Sequence, residues 1–285
     1  MSKICIVFDR LRSEEKMLEK QATELGHDTS MIDAKITQVN TDSTKNDYDF
    51  GDVVLERCIS YFRGLHFTAC LDFLDVPVIN KFDVASNCGN KLIMSLLLKK
   101  SGVPTPKTYF SFSADAAKEN IKKVGFPLVL KPVIGSWGRG VLPLKDNDTV
   151  DAMFEMRELT DGPHDRIFYL QEMINRPPRD IRVITVGNQA IAAMYRKSSG
   201  GFKTNISLGA DPELCEITKE IEDLSAKASK AVGGGILGVD MMEDEKKGLV
   251  VHEVNSTVEF KGLAKVAKCN IPKEMIEFAL NSSRK

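Results

Sequence analysis

Five consecutive apolar residues, ICIVF at 4–8, open the chain as a β-branched run of the kind that forms a buried strand. The charged, periodic segment Ser13 to Gly26 that follows has the spacing of a helix ended by glycine. A strand at DVVLERC (52–58), a helix around GLHFTACLDFL (64–74) and a strand at VPVINK (76–81) continue the alternation. Strand-helix-strand order predicts a parallel sheet, and with it a first α/β domain over residues 1–95. NKLIMSLLLKK from Asn90 to Lys100 predicts a helix stopped by Gly102 and Pro104. PKTYFSF and FPLVLKP read as strands around a helix that Ser113 caps and Ala114 begins. This small mixed block, residues 96–170, has the proportions of a lid. In the last part, 171–285, RIFYLQEMI, DIRVITVG and QAIAAMYRK predict antiparallel strands, Thr218 to Val232 a helix, and ILGVDMME with LVVHEVN a strand pair. EDEKKG between them is a hairpin loop, and the closing FALNSSRK reads as frayed.

Composition narrows the classes. In 285 residues, 39 basic side chains nearly balance 40 acidic ones, so no global field selects nucleic acid or a membrane surface. The six cysteines include no CxxC pair and no Cys/His cluster at metal-ligand spacing, and read as reduced thiols. No stretch approaches the roughly 18 apolar residues of a membrane span, and no signal-peptide pattern opens the chain. A cytoplasmic protein is expected.

Three constellations carry chemistry. FPLVLKPVIGSWGRGV (126–141) ends a strand on Lys131 and continues into a glycine-rich loop. A lysine there can hold its ammonium over an anion while glycines let backbone amides approach phosphate oxygens. The loop fits neither GxxxxGK[ST] nor GxGxxG, and an ordinary surface hairpin is the competing reading. In GVDMMEDEKKGLVVHEVN, Asp240 lies on one strand, with Glu253 and Asn255 at alternate positions on the next. Alternation places these three on one face, a hard-oxygen set suited to magnesium. YLQEMINRPPRDIRV turns through prolines and sets Asp180 and Arg182 on one face of a strand, which alone is only an ion pair on a hairpin.

In this order and spacing the blocks resemble the ATP-grasp ligases, which activate a carboxylate as an acyl phosphate and couple it to an amine. The match is nearest to the ribosomal-protein glutamate ligase branch and, within it, to ligases that attach an acidic amino acid to an amino-group carrier protein in lysine or arginine biosynthesis. The phrases carrying it are DRLRSEEKML, LERCIS, LKPVIGSWGRG, RDIRV, FKTN and HEVNSTVEFK. The resemblance implies an α/β (α+β) ATP-grasp fold: an N-terminal parallel-sheet domain, a central lid and a C-terminal antiparallel-sheet domain. It places Lys91 and Lys131 on ATP phosphates beneath a flap of Gly135, Ser136, Trp137, Gly138, Arg139 and Gly140. Glu172, Met173 and Ile174 match the adenine segment, and Asp180 the ribose contact. Arg182, Arg196 and Asn205 match positions around the substrate carboxylate and transferred phosphoryl group. Asp240, Glu253 and Asn255 match the ligands of one or two Mg2+ ions.

The implied partners are a small acidic carrier ending in glutamate and, as amine, glutamate or α-aminoadipate. Family members often form dimers or tetramers. Arg57 and Arg63 are lesser candidates for substrate carboxylates, with ordinary surface charge as the alternative. SSGGFKTN (198–205), where Lys203 stands, departs from the pattern expected for α-aminoadipate and leans towards glutamate or dual use. His252 reads as a structural neighbour of Glu253, and Trp137 either packs on substrate or anchors its loop. A glutamate ligase acting on another protein tail or on a pterin cofactor is the alternative within the enzyme class. A non-catalytic nucleotide-binding regulator is the alternative outside it.

Overall fold

The computed structural model describes residues 2–160, 162–197 and 212–283. Its strands form three sheets among the described residues. The first is parallel, in the order β2-β1-β3-β4, from β1 (Lys3–Phe8), β2 (Asp28–Asp33), β3 (Val53–Glu56) and β4 (Val78–Ile79). Ile4 to Val7 are all buried, as a strand covered on both faces requires. Helices α1 (Ser13–Glu24) and α2 (Tyr61–Phe73) supply crossovers, and α3 (Phe82–Gly89) and α4 (Lys91–Lys100) lead onward. Asn90 caps α4 by accepting from the amides of Leu92 and Ile93.

The central sheet is antiparallel, in the order β5-β8-β6-β7. It comprises β5 (Thr108–Ser111), β6 (Leu128–Lys131), β7 (Leu142–Leu144) and β8 (Phe168–Glu172), with α5 (Ala114–Val124) and α6 (Asn147–Thr160) against it. Ser113 caps α5. The third sheet, also antiparallel, runs β11-β10-β9-β12-β13. Its strands are β9 (Arg179–Val186), β10 (Gln189–Lys197), β11 (Glu213–Leu214), β12 (Ile236–Asp244) and β13 (Gly248–Asn255). Helices α7 (Lys219–Val232) and α8 (Ile271–Ser283) complete the described chain.

Several sequence expectations are revised. RIFYLQEMI supplies β8, which pairs with β5 and β6 in the central sheet rather than with the strands after it. The expected boundaries at 95/96 and 170/171 fall inside α4 and β8. β2 and α3 were not anticipated, and FALNSSRK continues α8, with Ala279 and Leu280 buried. That helix packs on α1, β3, β4 and β9. One apolar cluster therefore joins Ile4, Ile6 and Leu55 of the first sheet to Ile184 and Met194 of the third and to Met275 and Ile276 of α8. Asn80 ties the same two sheets together: its amide nitrogen donates to the carbonyls of Ile236 (2.8 Å) and Ser256 (2.7 Å), and its oxygen accepts the Ile236 amide (2.8 Å). No described helix is long and apolar enough to cross a membrane.

Candidate active site

β6 is buried along its whole length, so its last residue, Lys131, carries its ammonium into the interior with only 7% of its surface exposed. Nζ donates to Oε1 of Gln171 on adjacent β8 at 2.6 Å. Burial pushes this lysine down to about 8, against the pull of Glu253. Lys91, the first residue of α4, arrives from the other side and donates to the Gly135 carbonyl (2.6 Å) while pairing with Glu253 (3.2 Å). Its own amide bonds to the Val133 carbonyl, so one lysine fastens both the root and the bend of the glycine-rich loop. Gly138 and Gly140 have φ of +66° and +67°, the left-handed region that glycine enters without a Cβ penalty.

The opposite wall comes from β12 and β13, where Asp240 and Glu253 are directly paired. Register slips next to them, because Met241 faces Val251 and leaves His252 without a cross-strand partner. Such a bulge turns a side chain that alternation would send elsewhere, and His252 lines the cavity beside Glu253. Both its ring nitrogens are buried without a hydrogen-bond partner, and burial holds the imidazole down to about 4.

Asp240 is 2% exposed and grips two arginines. Arg182 meets it with both Nε and Nη2, the latter at 2.8 Å, and Arg196 Nη2 lies 3.1 Å from Oδ2. Arg196 also pairs bidentately with Asp180 at 2.7 and 2.9 Å. Burial alone would raise the Asp240 carboxyl, but the two guanidiniums outweigh it and hold it well below the ordinary carboxylate range. Burial likewise opposes ionisation of Glu253, and Lys91 overcomes it. The Asn255 amide nitrogen reaches Asp240 Oδ2 at 3.4 Å.

One cavity thus gathers Lys91, Lys131, Gly135, Ser136, Gly138 and Arg139 on the loop side, and Glu172, Ile174, Asp180, Arg196, Asp240 and Glu253 opposite. Arg182 and Asn255 stand behind Asp240; they, Trp137, Gly140 and Met173 are not part of the lining. Asn205, with the whole 198–205 stretch, lies outside the described residues. Arg57 is 4% exposed and paired with Glu15, and Arg63 is paired with Asp9 at 2.6 Å; neither lines the cavity. Sequence reasoning missed the apolar lining of Val129, Val141 and Met242, and also Gln171, and took His252, which lines the cavity, only as a neighbour of Glu253. Period-2 spacing from Lys131 gave a signal for Val129, whereas only cross-strand pairing could reveal Gln171.

Comparison with known proteins follows this geometry. Residues 88–279 match the profile of the RimK-like ATP-grasp domain, about two thirds of the chain. The chain belongs to the RimK-like ATP-grasp family. Residues 4–87 match the LysX preATP-grasp domain. This ATP-grasp chain is 37% identical over 273 residues to the alpha-aminoadipate–LysW ligase LysX of Sulfurisphaera tokodaii, covering 95% of each chain. It is 31% identical to the glutamate–LysW ligase ArgX of Sulfolobus acidocaldarius, covering 98% of this chain and 99% of that one. Among solved structures, a RimK domain ATP-grasp protein from Sphaerobacter thermophilus superposes with a TM-score of 0.78 at 20% identity, covering 98% and 99% of the two chains.

The ATP-grasp cavity suits a magnesium nucleotide. Two lysines and Arg139 offer cations to phosphates, apolar Val129, Val141, Ile174 and Met242 offer a wall to a flat base, and two ionised carboxylates face each other across a strand pair. Among the described residues no group of three His, Cys, Asp or Glu is arranged around an ion. A metal here depends on the amide oxygen of Asn255 joining Asp240 and Glu253, a hard-oxygen set appropriate to magnesium.

Proposed function

We propose that this chain is an ATP-dependent, ADP-forming carboxylate–amine ligase whose substrate is the C-terminal glutamate of a small amino-group carrier protein. The observation that carries this reading is the meeting of Lys91, Lys131, Asp240 and Glu253 around one cavity roofed by a glycine-rich loop. Lys91 and Lys131 hold the ATP phosphates, with Ser136 and Arg139 of the flap above them. Glu172 and Ile174, joined by Met173, border the base from their segment, and Asp180 meets the ribose while keeping its pair with Arg196. Asp240, Glu253 and Asn255 would hold one or two magnesium ions, which would neutralise charge developing on the phosphates. Arg196 and Asn205 orient the substrate carboxylate and the phosphoryl group in transfer, and Arg182, behind Asp240, holds the Asp240 carboxylate in place.

The chemistry needs no protein nucleophile. A carboxylate oxygen of the carrier attacks the γ-phosphorus and ADP leaves. The incoming amine then displaces phosphate from the acyl carbon, losing a proton as the amide forms. Positioning and cation clamps supply most of the rate. The acyl phosphate is labile in water, so the flap excludes solvent until the amine arrives.

The carrier is argued from the two relatives named for LysW, which the chain matches over nearly its full length. In the turn NRPPRD (175–180), Arg176 lines the cavity and Arg179 is committed to Glu243 at 2.7 and 2.8 Å. The amine is glutamate, α-aminoadipate or both. They differ by one methylene, worth only about 1–3 kcal/mol in a pocket, so dual use is physically reasonable. The test is ADP release and product mass with ATP, magnesium and a carrier peptide ending in glutamate, comparing the two amines. A mass gain with one amine assigns the pathway, and gains with both assign a shared enzyme. No ADP with either refutes the carrier reading.

A further inference from the structure

At the tip of the flap, Trp137 alone among residues 135–139 does not line the cavity. Trp137, 38% exposed and in the left-handed region at φ +55°, points outward, with the Arg139 guanidinium 5.0 Å from its ring centroid. Its Nε1 donates to Oε1 of Glu259 at 3.4 Å, and that same oxygen accepts from Arg12 Nη1 at 3.4 Å. Arg12 is itself fixed, with Nη2 at 2.7 Å and Nε at 3.1 Å from the two oxygens of buried Glu15. Glu259 follows Val258, whose carbonyl accepts from buried Arg57 at 2.9 Å. A loop of the central sheet, the start of α1 and the segment leaving β13 therefore converge on one carboxylate oxygen.

We infer that Glu259 is a positioning residue that latches the flap shut by holding Trp137 against Arg12. Each contact is long and partly exposed, as a device that must open each turnover requires, since a stronger bond would slow release. Arg12 and Arg57 preorganise the receiving side, so the flap alone loses freedom on closing. The two-ended anchoring, Lys91 on Gly135 inside and Glu259 on Trp137 outside, fixes the loop that carries Arg139.

Loss of one such contact shifts the open-to-closed ratio roughly five-fold, equivalent to about 1 kcal/mol. The catalytic consequence rests on the ligase reading, whereas the latch itself does not. Trp137 is the only tryptophan in the chain, so its fluorescence reports the flap without interference. The experiment is acrylamide quenching of the full-length protein, with and without Mg-ADP, in the native chain, Glu259→Ala and Glu259→Gln, with melting temperature as the folding control. Alanine is expected to raise the quenching constant about two-fold, and glutamine, which keeps an oxygen acceptor, to stay near the native value. With ATP, carrier peptide and amine, Glu259→Ala is then expected to release more ADP per amide formed, because water reaches the acyl phosphate. Unchanged quenching in Glu259→Ala overturns the latch. Absence of ADP from the native chain would overturn the ligase reading instead and leave the quenching comparison decisive for the latch.

Discussion

Asp240→Asn tests the charge network and the metal assignment in one variant. The network holds two carboxylates, Asp180 and Asp240, and two guanidiniums, Arg182 and Arg196, so its charges cancel. Removing one partner from a buried pair costs about 3–5 kcal/mol. The amide keeps the shape and one acceptor, and Arg196 keeps Asp180, so the lower end, about 3 kcal/mol, is expected. Against a typical stability of about 5–15 kcal/mol the variant stays folded. At about 2–4 °C per kcal/mol for chains approaching this length, Tm falls by about 6–12 °C. The pH dependence has a fixed sign: Asp240 is held below its unfolded value, so its contribution is full above the ordinary carboxylate pKa of about 4 and is lost at lower pH. The Tm gap between native and variant should accordingly narrow on acidification. Combining Asp240→Asn with Arg182→Met restores neutrality, and a double-mutant cycle should return at least about 2 kcal/mol of coupling. Thermal and urea unfolding give the stabilities, and ADP formation by the folded single variant should be abolished. A single-variant loss under about 0.5 kcal/mol, or additive losses in the double, would refute the network argument; full turnover would remove Asp240 from the metal site.

Lys131 gives a second prediction, because phosphate beside it must raise a pKa now near 8. Nucleotide affinity should be full below pH 8 and decline as pH rises past it, with proton uptake at pH 8.5 in calorimetry across buffers of different ionisation enthalpy. Lys131→Met should abolish the uptake, and an unchanged proton count would place the phosphates elsewhere. Asn80→Ala should cost about 3 kcal/mol in urea unfolding, since it strands the Ile236 amide and two carbonyls. A loss under about 1 kcal/mol would mean that water replaces the side chain.

Much of the fold was legible where local chemistry decides it. Apolar runs marked β1, β3, β6, β12 and β13, and the cap Ser113 marked the start of α5. DTSMID was passed over because β2 is a half-buried edge strand with no apolar run. The sheet to which β8 belongs depends on partners some 40 and 60 residues upstream, which periodicity does not encode. Within the site, the shared face of Asp240 and Glu253 followed from alternation. The cavity-facing position of His252 did not, because a bulge breaks the alternation at that residue. Arg57 read as an ordinary surface charge, and its burial arises from Glu15 and Val258, both remote in sequence.

The return of α8 onto the first sheet has a consequence during synthesis. Ile4, Ile6, Val53 and Leu55 leave the ribosome early, but their covering residues Met275, Ile276, Ala279 and Leu280 come more than 200 positions later. At about 5–20 residues per second, that face waits roughly ten seconds to a minute for its cover. Until then the face is bare apolar surface, of the kind that makes folding intermediates prone to aggregate. Expressed alone, residues 1–87 should aggregate through the same bare face.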